Sequence, residues 1–176
     1  MNVYSIRYRT DGVITTPLHL PDSLRTLMVG WAMDNTPPGG IVLDFGSGVD
    51  PVVCHELRNA GFAAVAYESA GKQLLGVHDP LALARDYDTV FCRDVIDCYN
   101  NSPNVRAVIS LRNVVRLLIG ATRPEGSLIL NLTRLMDHKQ RCAGFSVPAF
   151  LRNYFRSVID ISNDPNHLVL GCRHAF

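Results

Sequence analysis

The sequence lacks any hydrophobic run of the roughly 20 residues that a membrane-spanning helix requires, and Met1 to Arg9 contain no apolar signal-peptide core. We therefore expect no membrane partner. A C-x-x-C pair is also absent, so no zinc-type spacing is present and we expect no metal site. The scattered thiols instead predict buried free cysteines in a reducing compartment, and thus a cytoplasmic protein. They are Cys54, Cys92, Cys98, Cys142 and Cys172.

Charge is sparse and unevenly distributed. Charged residues make up 19% and hydrophobic residues 47% of the 176 positions, a composition typical of one globular domain. The net charge of +1 indicates no partner by itself. Residues 1–104 hold 7 Lys+Arg against 12 Asp+Glu, whereas residues 105–176 hold 10 against 4. The basic part could meet an anionic partner, or its arginines could be spread over solvated helix faces.

The stretch Ile41 to Pro51 predicts a strand, a glycine turn and a helix. An apolar run ends at Asp44, and Gly46 and Gly48 permit a sharp turn with close approach of a ligand. Asp50 is a favourable N-cap and Pro51 suits the first helical position, so a helix is expected over 52–60. Ligands of open α/β sheets bind at such turns.

Two common phosphate-binding motifs are missing from this turn. The dinucleotide fingerprint fails because Pro51 occupies its third position, and no P-loop sequence occurs anywhere. A pyrophosphate at the helix N-terminus would also meet the carboxylate of Asp50. A cationic ligand without phosphate suits the turn better.

The segment Leu43-Asp-Phe-Gly-Ser-Gly48 resembles motif I, D/E-x-G-x-G-x-G, of the class I S-adenosylmethionine-dependent methyltransferases, with Asp50 in place of the third glycine. The alternative is an ordinary strand–turn–helix corner. The resemblance extends over residues 41–174. It implies a Rossmann-like, doubly wound, mostly parallel seven-stranded sheet with a C-terminal antiparallel hairpin. We expect a single domain, 1–176, with a cofactor-binding core at 41–176 and an N-terminal hairpin-and-helix attachment at 1–40.

S-adenosylmethionine is the cofactor that this resemblance implies. Glu68 follows the predicted strand 62–67, where an acid can accept hydrogen bonds from both ribose hydroxyls; the alternative is a surface glutamate. Asp79 is expected to face the adenine, or else to cap the chain before Pro80. The expected cofactor-binding residues are Asp44, Phe45, Gly46, Ser47, Gly48, Glu68, Ser69, Asp79 and Arg93.

Asp94 is the first candidate for orienting or deprotonating a methyl acceptor, because it follows the central strand 87–92. His138 and then His19 are further candidates, and the polar stretch 133–144 is expected to be a substrate loop. An N/D-P-P-Y/F tetrapeptide is absent, which disfavours exocyclic base amines. The predicted function is methyl transfer to a small molecule or a nucleic acid. Alternatives are cofactor binding without turnover, or an enzyme that cleaves the same cofactor.

Local signals predict the remaining elements. About ten residues separate Glu68 from His78, so the usual helix of this unit is expected to be lost or reduced to one turn. The other expected elements are a hairpin around Asp11-Gly12, a helix capped by Asp22 or Ser23 and running to Asp34, a helix over 105–119, a turn at 123–127, a strand over 128–132, a helix over 147–154 capped by Ser146, and strands over 157–161 and 167–172.

Overall fold

The computed structural model describes residues 9–10, 13–14, 20–68, 74–96 and 105–176. Ser69, His19 and Cys98 lie outside these ranges. The strands are β1 (Arg9–Thr10), β2 (Val13–Ile14), β3 (Ile41–Phe45), β4 (Ala63–Tyr67), β5 (Tyr87–Cys92), β6 (Thr122–Thr133), β7 (Phe155–Asp160) and β8 (His167–Ala175). The helices are α1 (Asp22–Asp34), α2 (Val52–Asn59), α3 (Val105–Gly120), α4 (Arg134–Cys142) and α5 (Val147–Leu151), with a 3₁₀ turn at Ala82–Ala84.

A six-stranded sheet with the order β4-β3-β5-β6-β8-β7 forms the centre of the fold. The first four strands in this order run parallel, and β8 is antiparallel to both β6 and β7. Successive residues of each strand point to opposite faces of the sheet, and a hydrophobic core lies on each face. In β5, for example, Val90 and Cys92 pack on the side of α3, whereas Phe91 packs on the side of α1 and α2. The α/β class, the mostly parallel sheet and the closing hairpin are confirmed.

The expectation of seven strands in the sheet is not confirmed, because the described residues form six. Between β4 and β5 they form only turns and the short 3₁₀ helix, so no further strand is added beside β4. The outward carbonyls of this edge strand have other donors: Arg58 Nε lies 2.9 Å from the carbonyl oxygen of Ala64, and the Asp79 amide lies 2.9 Å from that of Ala66. Pairing of these acceptors lets β4 end the sheet.

The predicted substrate loop at 133–144 is also wrong, because most of it is the helix α4. The hydroxyl of Thr133 caps the helix by accepting from the Met136 amide at 3.2 Å. Met136, Asp137 and Gln140 are buried along one face. The stretch is predicted as a loop because it is highly polar, and the helix buries only three of its residues.

The segment 123–127, predicted as a turn before the strand 128–132, belongs to β6. The pairing of β5 with β6 shifts register between Tyr87 and Thr89, and Glu125 has a positive φ of 63°. Arg123 Nη1 pairs with Asp88 Oδ1 at 2.8 Å across this irregularity. The turn residues therefore form a bulge within a longer strand.

The N-terminal helix α1 is a layer of the core. Trp31 packs so closely on Gly171 of β8 that a Cβ at this glycine would lie 2.7 Å from the indole. The helix begins after Pro21, without the side-chain cap expected from Asp22 or Ser23. The β1–β2 hairpin is confirmed at Arg9–Ile14. The proposed boundary at residue 40 stays a prediction.

Other local predictions have mixed outcomes. Ser146 caps α5 as expected, with its hydroxyl 3.3 Å from the Ala149 amide, although the helix ends at Leu151. Three of the cysteines are buried free thiols, but Cys142 is exposed because it lies on the outer face of α4. In the described ranges, every helix is too short or too polar to cross a membrane.

Candidate functional site

The glycine turn after β3 is fixed to the end of β4. The amides of Gly46 and Ser47 both donate to the carbonyl oxygen of Tyr67, at 2.8 and 3.1 Å. Gly46 and Gly48 have φ values of +76° and +75°, in the left-handed region that favours glycine. Phe45 is buried and stacks on the Tyr67 ring with centroids 5.2 Å apart, so its side chain belongs to the core.

The two glycines serve different purposes. A Cβ at Gly46 would lie 2.1 Å from Cγ2 of Val95, so this glycine allows the loop after β5 to pack on the turn. At Gly48 a Cβ would meet no atom of the described residues within 4 Å. The turn is therefore closed at its first glycine and open at its second, where a ligand can approach the backbone.

Glu68 lies at the open side of the turn. Its Oε2 atom accepts the Gly48 amide proton at 3.0 Å, which brings the acid after β4 to the glycine turn after β3. Parallel pairing of β3 with β4, with Phe45 opposite Tyr67, makes this contact possible because both strands end at the same edge. A half-buried carboxylate beside open backbone suits hydroxyl or cationic groups of a ligand.

Asp44 is buried beneath the turn, on the side of α2. The pKa of its carboxyl is raised from 3.8 to about 7, mainly by burial and in small part by the nearby Glu68, while Arg93 and a hydrogen bond from the Cys54 amide oppose the rise. Cys54 lies in the first turn of α2. Asp44 therefore supplies an acceptor to the helix N-terminus from a neighbouring strand.

The predicted N-cap at Asp50 is wrong. The helix begins one residue later, after Pro51, and has no side-chain cap. The carbonyl oxygen of Asp50 accepts the Val52 amide at 2.9 Å, while its side chain is exposed. The turn closed by this hydrogen bond precedes α2, and the Asp50 side chain forms no cap to the helix.

Asp94 is held in one orientation beside the turn. Its amide donates to Asn131 Oδ1 at 2.8 Å, and Asn131 Nδ2 donates to Asp94 Oδ1 at 2.9 Å. Arg93 Nε lies 3.8 Å from Asp94 Oδ2. Asp94 also has a φ of 57°, a backbone state that non-glycine residues adopt mainly where the surroundings impose it, often at functional sites.

The segment before β5 is attached to the same turn. His78, of which 6% is exposed, lies with Nε2 2.7 Å from the carbonyl oxygen of Gly48. Asp79 has both carboxylate oxygens engaged, one by the Leu81 amide at 2.8 Å and the other by Arg85. This is the capping arrangement that the sequence offered as the alternative for Asp79, and its adenine-facing role stays a prediction.

The structure thus brings together most of the residues expected to bind the cofactor, and Asp94 with them. Ser47 is buried and its hydroxyl lies 3.3 Å from the Tyr67 carbonyl oxygen. His138 is not part of this cluster: it is exposed on α4, and its contact within the described residues is with Cys142 Sγ at 3.8 Å. The roles of these residues in binding or catalysis stay predictions.

Sequence reasoning missed two partners at the site. Asn131 interrupts the apolar run of β6, and a polar residue inside a buried strand is a usable signal because it needs a partner. His78 gave no comparable signal, since its contact with Gly48 joins positions that are 30 residues apart.

The site's chemistry fits a cationic cofactor with ribose hydroxyls. The carboxylates of Glu68 and Asp94 are grouped with the carboxyl of Asp44, whose pKa is about 7, and Arg93 is the basic side chain of this group. The space beside Gly48 leaves room for close approach. A pyrophosphate would be repelled by the same carboxylates.

Several solved structures with a similar fold are methyltransferases. A putative class I S-adenosylmethionine-dependent methyltransferase from Listeria monocytogenes aligns with a TM-score of 0.59 and 13% identity, over 94% of this chain and 64% of its own. An O-methyltransferase family protein from Burkholderia thailandensis aligns with a TM-score of 0.57 and 14% identity, over 88% and 56%. The chain has the fold of class I S-adenosylmethionine-dependent methyltransferases.

A third similar structure carries the cofactor. The magnesium protoporphyrin IX methyltransferase from Synechocystis PCC 6803, solved with bound S-adenosylmethionine, aligns with a TM-score of 0.54 and 18% identity, over 88% of this chain and 79% of its own. No protein-family model matches the sequence, and no curated protein does so. The chain spans little more than half the length of the Burkholderia methyltransferase.

Proposed function

We propose that this protein is an S-adenosylmethionine-dependent methyltransferase that acts on a small-molecule acceptor. The observation that carries the proposal is the contact between Glu68 and the Gly48 amide, at 3.0 Å, beside open backbone. An anionic acceptor thus lies next to Gly48, whose Cβ side is open among the described residues, and this supports the proposal. The methyltransferase fold of similar structures supports the same cofactor.

The residues around the turn would have different roles in cofactor binding. Glu68 would accept the ribose hydroxyls, and the backbone at Gly48 would lie against the cofactor. When bound, the cofactor would supply an electrophilic methyl group on a sulfonium sulfur. The protein's part would be to align the acceptor with that methyl group and to stabilise developing charge.

Asp94 is the residue that we assign to the acceptor. Its carboxylate is oriented by Asn131 and lies in the loop whose Val95 packs on Gly46. An oriented carboxylate can accept a hydrogen bond from an acceptor hydroxyl or amine, and can take its proton as the new bond to the methyl carbon forms.

A small acceptor is favoured by the way the basic C-terminal part is paired. Four of its arginines meet carboxylates, namely Arg123, Arg134, Arg141 and Arg156. Three lie over aromatic rings, namely Arg112, Arg156 and Arg173. The charge of the four paired guanidinium groups is partly compensated within the fold, which leaves fewer cations available to the phosphates of a nucleic acid.

Methyl-labelled S-adenosylmethionine tests the assignment. The purified protein is incubated with the labelled cofactor and with separate panels of hydroxyl- and amine-bearing small molecules, RNA and DNA. Label on a small molecule would support the proposal in full. Label on nucleic acid would overturn the acceptor class, and binding without any transfer would indicate a cofactor-binding protein. Release of a labelled cleavage product would indicate a different enzyme.

Asp94→Asn tests the proposed role of the carboxylate. The variant keeps an oxygen that can accept from Asn131, so we expect cofactor affinity within about threefold of the wild type. Turnover should fall by about 10²–10⁴-fold, the usual contribution of a general base. An unchanged kcat, measured by formation of the demethylated cofactor, would remove Asp94 from the reaction.

A further inference from the structure

We propose that His78 is a positioning residue that holds the glycine turn in its cofactor-binding conformation. The inference rests on the proposed function, since it assigns His78 a part in cofactor binding. It starts from the short segment that precedes β5, whose described residues form turns and a 3₁₀ helix.

The backbone of His78 is fixed to the edge of the sheet. The amide of the next residue, Asp79, donates to the Ala66 carbonyl oxygen on the outer side of β4 at 2.9 Å. Towards the N-terminus of the segment, the amides of Val77 and His78 both donate to the Leu74 carbonyl oxygen at 3.1 Å. The imidazole therefore projects from a closed turn that is attached to β4.

Hydrogen bonding determines the tautomer of His78. The Leu74 amide lies 2.9 Å from Nδ1, and because an amide can only donate, Nδ1 is the acceptor. The proton of the neutral ring must then be on Nε2. This N–H points at the carbonyl oxygen of Gly48, 2.7 Å away.

Gly48 is consequently held at both of its backbone polar groups. Its N–H is bound by Glu68 from the end of β4, and its C=O is bound by His78 from the segment before β5. These contacts orient the two peptide groups that flank a residue with a φ of +75°. Its Cβ side is open among the described residues.

This arrangement has a consequence for cofactor binding. Gly48 is the glycine that a ligand can approach, and glycine has more conformational freedom than other residues when it is not restrained. Restraint before binding reduces the entropy that must be lost when the cofactor binds. His78 thus acts through Gly48, without itself needing to touch the cofactor.

Two amide substitutions separate the two hydrogen bonds of His78. In His78→Gln the side-chain amide nitrogen falls near the position of Nε2, so donation to Gly48 is kept while the bond from Leu74 is lost. In His78→Asn the side-chain oxygen falls near Nδ1, so the bond from Leu74 is kept while Gly48 is out of reach. The pair is matched in polarity and in chemical group.

Titration calorimetry with S-adenosylmethionine should distinguish the variants. We expect the Kd of His78→Asn to rise about tenfold, the effect of one hydrogen bond, and that of His78→Gln to stay within about threefold of the wild type. Equal weakening in both variants, in step with their loss of stability to urea, would show a merely structural histidine. A wild-type Kd in His78→Asn would also overturn the proposal.

Amide hydrogen exchange of Gly48 without cofactor keeps this test separate from the proposed function. The proposed hydrogen bond from His78 to Gly48 predicts faster exchange of the Gly48 amide in His78→Asn than in the wild type or His78→Gln. If the wild type binds no S-adenosylmethionine, the proposed function fails. The exchange rates then still decide whether His78 holds Gly48, and equal rates in all three proteins would refute that.

Discussion

Replacement of the buried carboxyl of Asp44 by an amide should remove a large pH dependence of stability. Burial raises the pKa of Asp44 to about 7 in the folded protein, against an ordinary value of 3.8. Asp44→Asn is neutral at every pH, and its amide oxygen can still accept the Cys54 amide proton at the start of α2. The substitution therefore changes the titration while it leaves the local hydrogen bond in place.

The sign and size follow from the raised pKa. Between about pH 4 and pH 7 the folded protein keeps a proton on Asp44 that the unfolded chain has released, so the free energy of unfolding falls as the pH rises. One pKa unit corresponds to about 1.4 kcal/mol. A rise from 3.8 to about 7 thus predicts a loss of about 4 kcal/mol across this range, with no further change at higher pH.

Urea denaturation from pH 4 to pH 8 measures the effect, with the fluorescence of the single, buried Trp31 as the probe. The unfolding free energy of the wild type minus that of Asp44→Asn should fall by about 4 kcal/mol over this range, since the contributions of other groups cancel in the difference. A difference that stays constant to within about 1 kcal/mol would refute the reasoning. Asp44 would then ionise as freely in the folded protein as in the unfolded chain.

Two further substitutions test the packing of the turn by the same denaturation assay. Gly46→Ala should lower the free energy of unfolding by roughly 2–5 kcal/mol, because the new Cβ overlaps Val95 and the backbone is strained at a φ of +76°. The further change Val95→Ala should recover the part of this loss that is due to the overlap. No recovery in the double variant would contradict this. Asp50→Ala should change stability by less than about 0.5 kcal/mol, since the exposed side chain caps nothing. A loss above about 1 kcal/mol would restore the N-cap that the sequence predicted.

Local chemistry made the strand, turn and helix at 41–60 predictable. The apolar run, the two glycines and the acid after the next strand are each short-range signals, and parallel pairing brings their ends together. The same holds for the hydroxyl cap at Ser146 and for the closing antiparallel strands.

The remaining features could not be predicted because they depend on contacts between residues that are distant in the sequence. Asp50 has the right residue type and spacing for an N-cap, but the chain turns once more before α2 and a strand residue, Asp44, supplies an acceptor instead. The contact of His78 with Gly48 depends on the path of a shortened segment that residue types alone do not specify. Tertiary contacts of this kind override local preferences.

Calorimetric titration of the wild type and Glu68→Gln with S-adenosylmethionine tests the central claim most directly. The amide keeps an acceptor for Gly48 but loses the charge and one acceptor for the ribose, so the Kd should rise by about 10–100-fold. Asp50→Ala, which removes an exposed carboxylate at the other side of the turn, is the matched control and should bind as the wild type does. The wild type and Glu68→Gln should show no binding of NAD. Equal affinity of the wild type and Glu68→Gln for S-adenosylmethionine, or tight binding of NAD, would contradict the account.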